Sequence, residues 1–151
     1  MFYGIIMTLD EIINEWKSDA VIDKTSLGTE SLKIPVLHSK YMKIYYEERR
    51  KLKALEFQSK DLYLAKYEYY NGKMSEEELE KRGWEPFVKL LMKAESEQYI
   101  QADKDIIQTN IKSVNQKEKM SILEEIIKNL NQRNFQIKNA IDYMKWTNGE
   151  M

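Results

Sequence analysis

Apolar residues recur along this chain at three- and four-residue intervals, the spacing of one helix face. Thr8 and Glu11 stand at the capping-box spacing, and Leu9, Ile12, Ile13 and Trp16 follow in phase, so a first helix is expected over about 9–18. Asp23-Lys24-Thr25 is suited to capping a short second helix near 26–33. Pro35 disfavours helical backbone at Ile34 but fits the first turn of a new helix. From Pro35 to Asn71 nothing breaks the pattern: Leu52, Leu55, Leu62 and Tyr69 share one seam, with Ser59 and Lys66 in its gaps. A helix of that span is roughly 55 Å long at 1.5 Å per residue. Asn71-Gly72, both tolerant of left-handed backbone, should end it.

Ser75 and Glu78 repeat the capping-box spacing and start a short acidic helix that Gly83 closes. Pro86 is expected to open a further long helix through Phe87, Leu90, Leu91 and Ala94, interrupted near Ala102-Asp103-Lys104-Asp105. The pattern resumes through Ile106, Ile107, Ile111, Val114, Ile122, Leu123, Ile126, Ile127 and Leu130. Asn131 to Asn134 marks a break before a last helix carrying Phe135, Ile137, Ile141, Met144 and Trp146. The fold class is therefore all-α. With only 5 Gly and 2 Pro in 151 residues, long helices are favoured over a many-turned β architecture. Two helices of such length cannot both bury their seams inside one small monomer, and helices from other copies are the simplest remedy. No internal repeat and no low-complexity linker is present.

Composition narrows the chemistry. At 42% hydrophobic and 32% charged, the chain is too apolar for disorder and too charged for a membrane protein. The opening run Met1-Phe2-Tyr3-Gly4-Ile5-Ile6-Met7 is too short for a span and lacks the basic flank of a signal peptide. Cysteine is absent, which excludes disulfides, thiolate zinc sites and cysteine nucleophiles and suits a reducing cytoplasm. His38, the single histidine, has neither nucleophile nor orienting acid beside it and suits a helix surface. Glu76, Glu77, Glu78 and Glu80 crowd a helix N-terminus, where acidic residues favour the dipole without any bound cation. Neither GxxxxGK[ST] nor GxGxxG occurs. No enzymatic activity, no cofactor and no metal is expected, and a small hydrolase has no constellation behind it.

Charge is distributed in blocks. The net charge is −1, yet residues 40–73 hold 9 basic and 5 acidic residues, net +4, between blocks of −3 (1–39) and −4 (74–108); residues 109–151 are net +2. Within the positive block, Arg49, Lys53 and Lys60 share one helix face, and Tyr63 and Tyr67 continue it. Cations that neutralise phosphates and flat rings that stack on bases of any sequence are what single-stranded nucleic acid requires. A solvated charged face whose tyrosines merely pack on a neighbour accounts for the same pattern, which would make the chain a helical assembly or structural interaction protein that binds no DNA.

Four ordered blocks carry a resemblance: Trp16-Lys17-Ser18-Asp19-Ala20-Val21-Ile22-Asp23-Lys24-Thr25-Ser26-Leu27, then Ala65-Lys66-Tyr67-Glu68-Tyr69-Tyr70-Asn71-Gly72-Lys73, then Ala102-Asp103-Lys104-Asp105, then Arg133, Phe135, Ile137-Lys138, Ile141 and Met144. Together they resemble the UvsY family, the recombination mediators of T4-like bacteriophages. The resemblance covers the chain from Leu9 to Met144. It implies a homo-oligomeric ring, a heptamer, that binds single-stranded DNA. It also implies that the ring helps a RecA-like phage recombinase replace the phage single-strand-binding protein, in the cytoplasm of the infected bacterial host, without a membrane. In the family a Lys-Ala-Arg-Leu motif of the basic helix is linked to DNA binding. The matching stretch here is Leu64-Ala65-Lys66-Tyr67, in which Lys66 keeps the charge of the Arg and Leu64 replaces the Lys. Lys60 is a nearby cation on a different helix face. The DNA-binding residues so expected are Arg49, Lys53, Lys60, Tyr63, Lys66, Tyr67 and Lys73. The resemblance further implies that the C-terminal helices make the ring contact, so that about 1–85 forms a helical DNA-binding part and about 86–151 an oligomerisation part.

Overall fold

A computed structural model describes residues 7–150; most of the apolar opening run lies outside the described residues. Among them the chain is all helical: α1 (Leu9–Asp19), α2 (Leu27–Tyr70), α3 (Glu76–Arg82), α4 (Lys93–Gln101) and α5 (Lys104–Thr147). By packing the chain divides into two units, residues 1–50 with 117–151 and residues 51–116, and each 44-residue helix contributes to both. The expected division near residue 85 was one of roles, DNA binding against assembly, and does not coincide with these units.

In the unit of residues 1–50 and 117–151, Ile12, Tyr41, Leu123, Ile126 and Leu130 form the core, and Trp16, Leu37, Ile44 and Ile127 pack on it. α1 begins as its pattern requires, with the Thr8 hydroxyl accepting from the Glu11 amide and the Glu11 carboxylate accepting from that of Thr8. Arg133 Nη2 donates to the Asp19 carbonyl (2.7 Å) at the far end of α1, satisfying a carbonyl that the helix leaves without a partner. Asp19 accepts from Lys40 (2.7 Å) and from the Tyr41 hydroxyl (2.8 Å). Burial alone would raise its pKa, but these hydrogen bonds and the neighbouring cations hold it below the usual carboxylate range.

Two expected breaks in this unit do not occur. α2 is continuous through Pro35. An interior proline forfeits one backbone hydrogen bond and strains the turn, by about 3 kcal/mol, but burial of Tyr41 and packing of Leu37 on the core further along the helix outweigh it. α5 is likewise continuous through Asn131–Asn134. Met120, Leu123, Ile126, Leu130, Arg133 and Ile137 are all buried, and that three- and four-residue stripe runs unbroken across the polar stretch. Packing of the stripe overrides the weak helix propensity of asparagine.

In the unit of residues 51–116, Ala65, Lys66, Ser96, Ile100 and Ile106 are buried. α2 ends where Asn71-Gly72 predicts, with Gly72 at φ 68° and the Lys73 amide donating back to the Glu68 carbonyl. α3 is capped by the Ser75 hydroxyl and closed by Gly83 at φ 67°, with the Trp84 amide on the Leu79 carbonyl, a Schellman closure. The expected break near 102–105 is present. Asp103 accepts from the amides of Asp105 (2.9 Å) and Ile106 (3.3 Å) and so caps α5. The helix expected to open at Pro86 does not form: residues 84–92 are non-helical. Trp84 and Phe87 are drawn into an aromatic cluster with Tyr69, Tyr70 and Tyr99, ring centroids 4.9–5.7 Å apart, and the Met92 amide donates to Glu95 at the start of α4.

Candidate nucleic-acid interface

Of the seven residues singled out, Arg49 belongs to the first unit and the other six to the second. At about 3.6 residues per turn, Lys53, Phe57, Lys60 and Leu64 lie within a narrow stripe of α2. All four are exposed, Phe57 at 65% and Leu64 at 58%. Lys60 Nζ sits 5.9 Å from the Phe57 ring centroid, a cation beside an open aromatic face. Lys53 pairs with Glu56, one turn on, at 3.0 Å. An exposed ion pair of this kind is worth little and exchanges readily for another anion. Arg49 is exposed as well.

Phe57 adds an exposed ring to this face beyond the tyrosines expected at the end of the basic run. The signal was present: a phenyl ring four residues after Lys53 and three before Lys60 shares their face. The expected tyrosines are more committed to their own unit. The Tyr63 hydroxyl donates to Glu97 of α4, and that hydrogen bond, more than burial, raises its pKa. Tyr67 is half-buried, with Lys73 Nζ 5.5 Å from its ring centroid. Lys73 itself is exposed beyond the end of α2.

Lys66 stands apart. The sequence placed it on the apolar seam, where a cation suits a helix end that projects free; the structure buries it instead, 4% exposed. Its Nζ lies 3.0 Å from Asp103 Oδ2, 2.8 Å from Asp105 Oδ2, and 3.8 Å from the Trp84 ring centroid. The Tyr70 hydroxyl also donates to Asp103 Oδ2, at 2.7 Å. Burial would raise the Asp103 pKa, but the bonds from Tyr70, Lys66 and the Ile106 amide hold it below the ordinary carboxylate value. Lys66 thus ties the end of α2 to the start of α5, on the side of α2 away from Lys53, Phe57 and Lys60. In this arrangement its charge is spent on carboxylates and is not presented to a phosphate.

Among the described residues no group of histidine and carboxylate side chains is placed to hold a metal ion, and no helix is long and apolar enough to cross a membrane.

The profile of a family described as recombination, repair and ssDNA binding protein UvsY matches residues 15–150. The recombination protein uvsY of Enterobacteria phage T4 is 27% identical over 104 residues, which is 69% of this chain and 71% of that protein. A crystal structure of the bacteriophage T4 recombination mediator protein UvsY matches with a TM-score of 0.82 at 23% identity, covering 93% of this chain and 99% of that one. The same protein in another lattice gives 0.81, at 23% identity over 93% and 98%. These structures share the all-α fold described above.

Proposed function

The chain belongs to the UvsY family, and from that premise we propose that it is a recombination mediator whose single-stranded DNA contact runs along the exposed stripe of α2. The observation that carries this reading is the interleaving of cations and an open ring: Lys53, Phe57 and Lys60 exposed on one face. Lysines neutralise phosphates and release counterions, and a phenyl face accepts a base of any sequence. Arg49 and Lys73 add charge; Tyr63 and Tyr67 contribute from the edges.

The protein works as a homo-oligomeric ring, a heptamer, which turns a modest patch on each chain into strong binding through avidity. Holding the strand in a distorted path weakens the grip of the phage single-strand-binding protein and favours nucleation of a RecA-like recombinase. The role is non-enzymatic and is exercised in the cytoplasm of the infected host. Exposed apolar side chains on α5, Phe135, Tyr143, Met144 and Trp146, support assembly through the C-terminal helix. A second reading, an assembly protein that binds no DNA, is favoured by the internal ties of Tyr63 and Tyr67.

Fluorescence anisotropy with a labelled oligonucleotide across a salt series separates the two. The mediator reading expects sequence-independent binding, a preference for single strands, and a steep salt dependence of about 0.7 log units per phosphate neutralised for each tenfold rise in salt. Lys53→Ala with Lys60→Ala should weaken binding and flatten that slope while native mass stays unchanged. Affinity that is independent of salt, or absent, favours the assembly protein.

A further inference from the structure

Residues 84–92 form the longest non-helical stretch between two helices, and their composition does not explain it. Val88-Lys89-Leu90-Leu91-Met92-Lys93 contains good helix formers, yet only Lys93 is helical. The segment is pinned at both ends. Phe87 packs on Tyr69, Tyr70 and Tyr99, the Tyr69 hydroxyl donates to the Glu85 carbonyl (2.6 Å), and the Met92 amide donates to Glu95 (3.0 Å). Lys89 Nζ donates to the Tyr99 hydroxyl at 3.0 Å. Between those pins no backbone group of residues 87–91 makes a hydrogen bond within the described chain. Val88, Leu90 and Met92 are 91%, 97% and 77% exposed, whereas Phe87 and Leu91 are half-buried.

Three large apolar side chains at two-residue spacing, on a backbone whose donors and acceptors are free from Phe87 to Leu91 and engaged in the start of α4 at Met92, have the pattern of a strand without a sheet. A groove that takes a helix would call for spacings of three and four. A second copy of this chain offers no sheet edge, since its described residues are all helical. A nucleic acid has little use for three aliphatic side chains in a row. The complementary surface is an exposed strand edge flanked by apolar pockets, on another protein. A RecA-like ATPase core is built on an open α/β sheet, and open sheets end in edge strands whose N–H and C=O groups are unpaired. Lys89 and Lys93 beside the apolar row favour an edge that carries carboxylates.

We propose that residues 88–91 dock as an added β-strand on the sheet edge of the recombinase, with the side chains of Val88, Leu90 and Met92 filling its pockets. This rests on the mediator reading above, because the partner is the one that reading names. Pinning by the aromatic cluster lowers the ordering cost of docking, since the segment is already held out of a helix.

The test uses full-length protein and the purified recombinase of the same phage as probe, with binding followed by surface plasmon resonance and backbone protection by hydrogen exchange. Leu90→Asp and Val88→Pro alter groups that touch little of their own chain, so fold and native mass should persist. Recombinase affinity should fall about tenfold or more, oligonucleotide affinity should stay unchanged, and the amides of 88–91 should gain protection only in the recombinase complex. Conservative Leu90→Ile should bind as the parent does. Unchanged recombinase affinity in both variants overturns the docking strand. A fall in native mass instead assigns the segment to contacts between copies, and a fall in oligonucleotide affinity assigns it to DNA; either result overturns the proposal. If the parent protein binds oligonucleotide but not recombinase, the proposal fails while DNA binding stands, and if it binds neither, the mediator reading itself has failed.

Discussion

Replacing Lys66 with Met keeps most of the aliphatic stem and deletes the charge that holds α2 to the start of α5. Asp103, whose side chain is only 8% exposed, then loses its cation in a buried setting. Removing one member of a buried ion pair generally destabilises by about 3–5 kcal/mol. Two features place this case at the lower end. Asp103 keeps hydrogen bonds from the Tyr70 hydroxyl and from the amides of Asp105 and Ile106, and Asp105, 57% exposed, is resolvated by water. The loss of the ammonium over Trp84 is partly offset by a thioether–ring contact. The expected loss is about 3 kcal/mol, read by circular dichroism in a urea titration. Lys66→Met with Asp103→Asn should recover part of it, with a coupling above roughly 1 kcal/mol. If Lys66→Met loses less than about 1 kcal/mol but sheds most oligonucleotide binding, the lysine leaves its carboxylates for phosphate, and the packing argument fails.

Acidification should loosen the same corner: because the folded pKa of Asp103 lies below its unfolded value of about 3.9, its contribution is complete at neutral pH and fades as pH falls from about 4 through the folded value. A stability–pH profile of Asp103→Asn should be flatter than the parent profile in that acid window; parallel profiles contradict the assignment. Phe57→Ala should weaken oligonucleotide binding by roughly 1–3 kcal/mol if its ring stacks on a base, with unchanged urea stability because the ring is exposed. Phe135→Ser with Trp146→Ser should lower the native mass by light scattering without lowering the folded content, since both rings are exposed on α5; a full-size particle places the contact between copies elsewhere.

Local signals were legible where the chain itself decides the structure. Thr8 with Glu11, Asn71-Gly72, Gly83 and the break near 102–105 all act within a few residues and appear as expected, and of the Ser75–Glu78 box the Ser75 half forms. The misses share one cause, which is packing from distant segments. Pro35 and Asn131–Asn134 look like breaks because propensity is local, whereas the stripes that carry the helices through them are anchored on Ile12, Tyr41 and Leu130. Residues 86–92 look helical because their side chains favour it, whereas the aromatic cluster that holds them open comes from α2 and α4. Of the expected contacts, the exposure of Lys53 and Lys60 on a charged helix face was legible, but the burial of Lys66 was not. Its carboxylate partners stand about forty residues along the chain, and nothing near Lys66 announces them.

That burial changes what a basic residue at this position can do. On α2 of the second unit one side carries Lys66 to Asp103, Asp105 and Trp84, and the other turns Lys53, Phe57, Lys60 and Leu64 outward. An ion pair that fixes one side of a helix also fixes the direction of the other, because side chains a half-turn apart share one backbone. On the proposed reading Lys66 positions the stripe, and any effect of its loss on DNA binding should travel with a loss of stability. Lys60→Ala should behave in the opposite way, weakening DNA binding at full stability. A set of variants in which the two properties fall together at Lys66 and separate at Lys60 follows from this geometry, and the reverse assignment would place the DNA contact inside the buried seam.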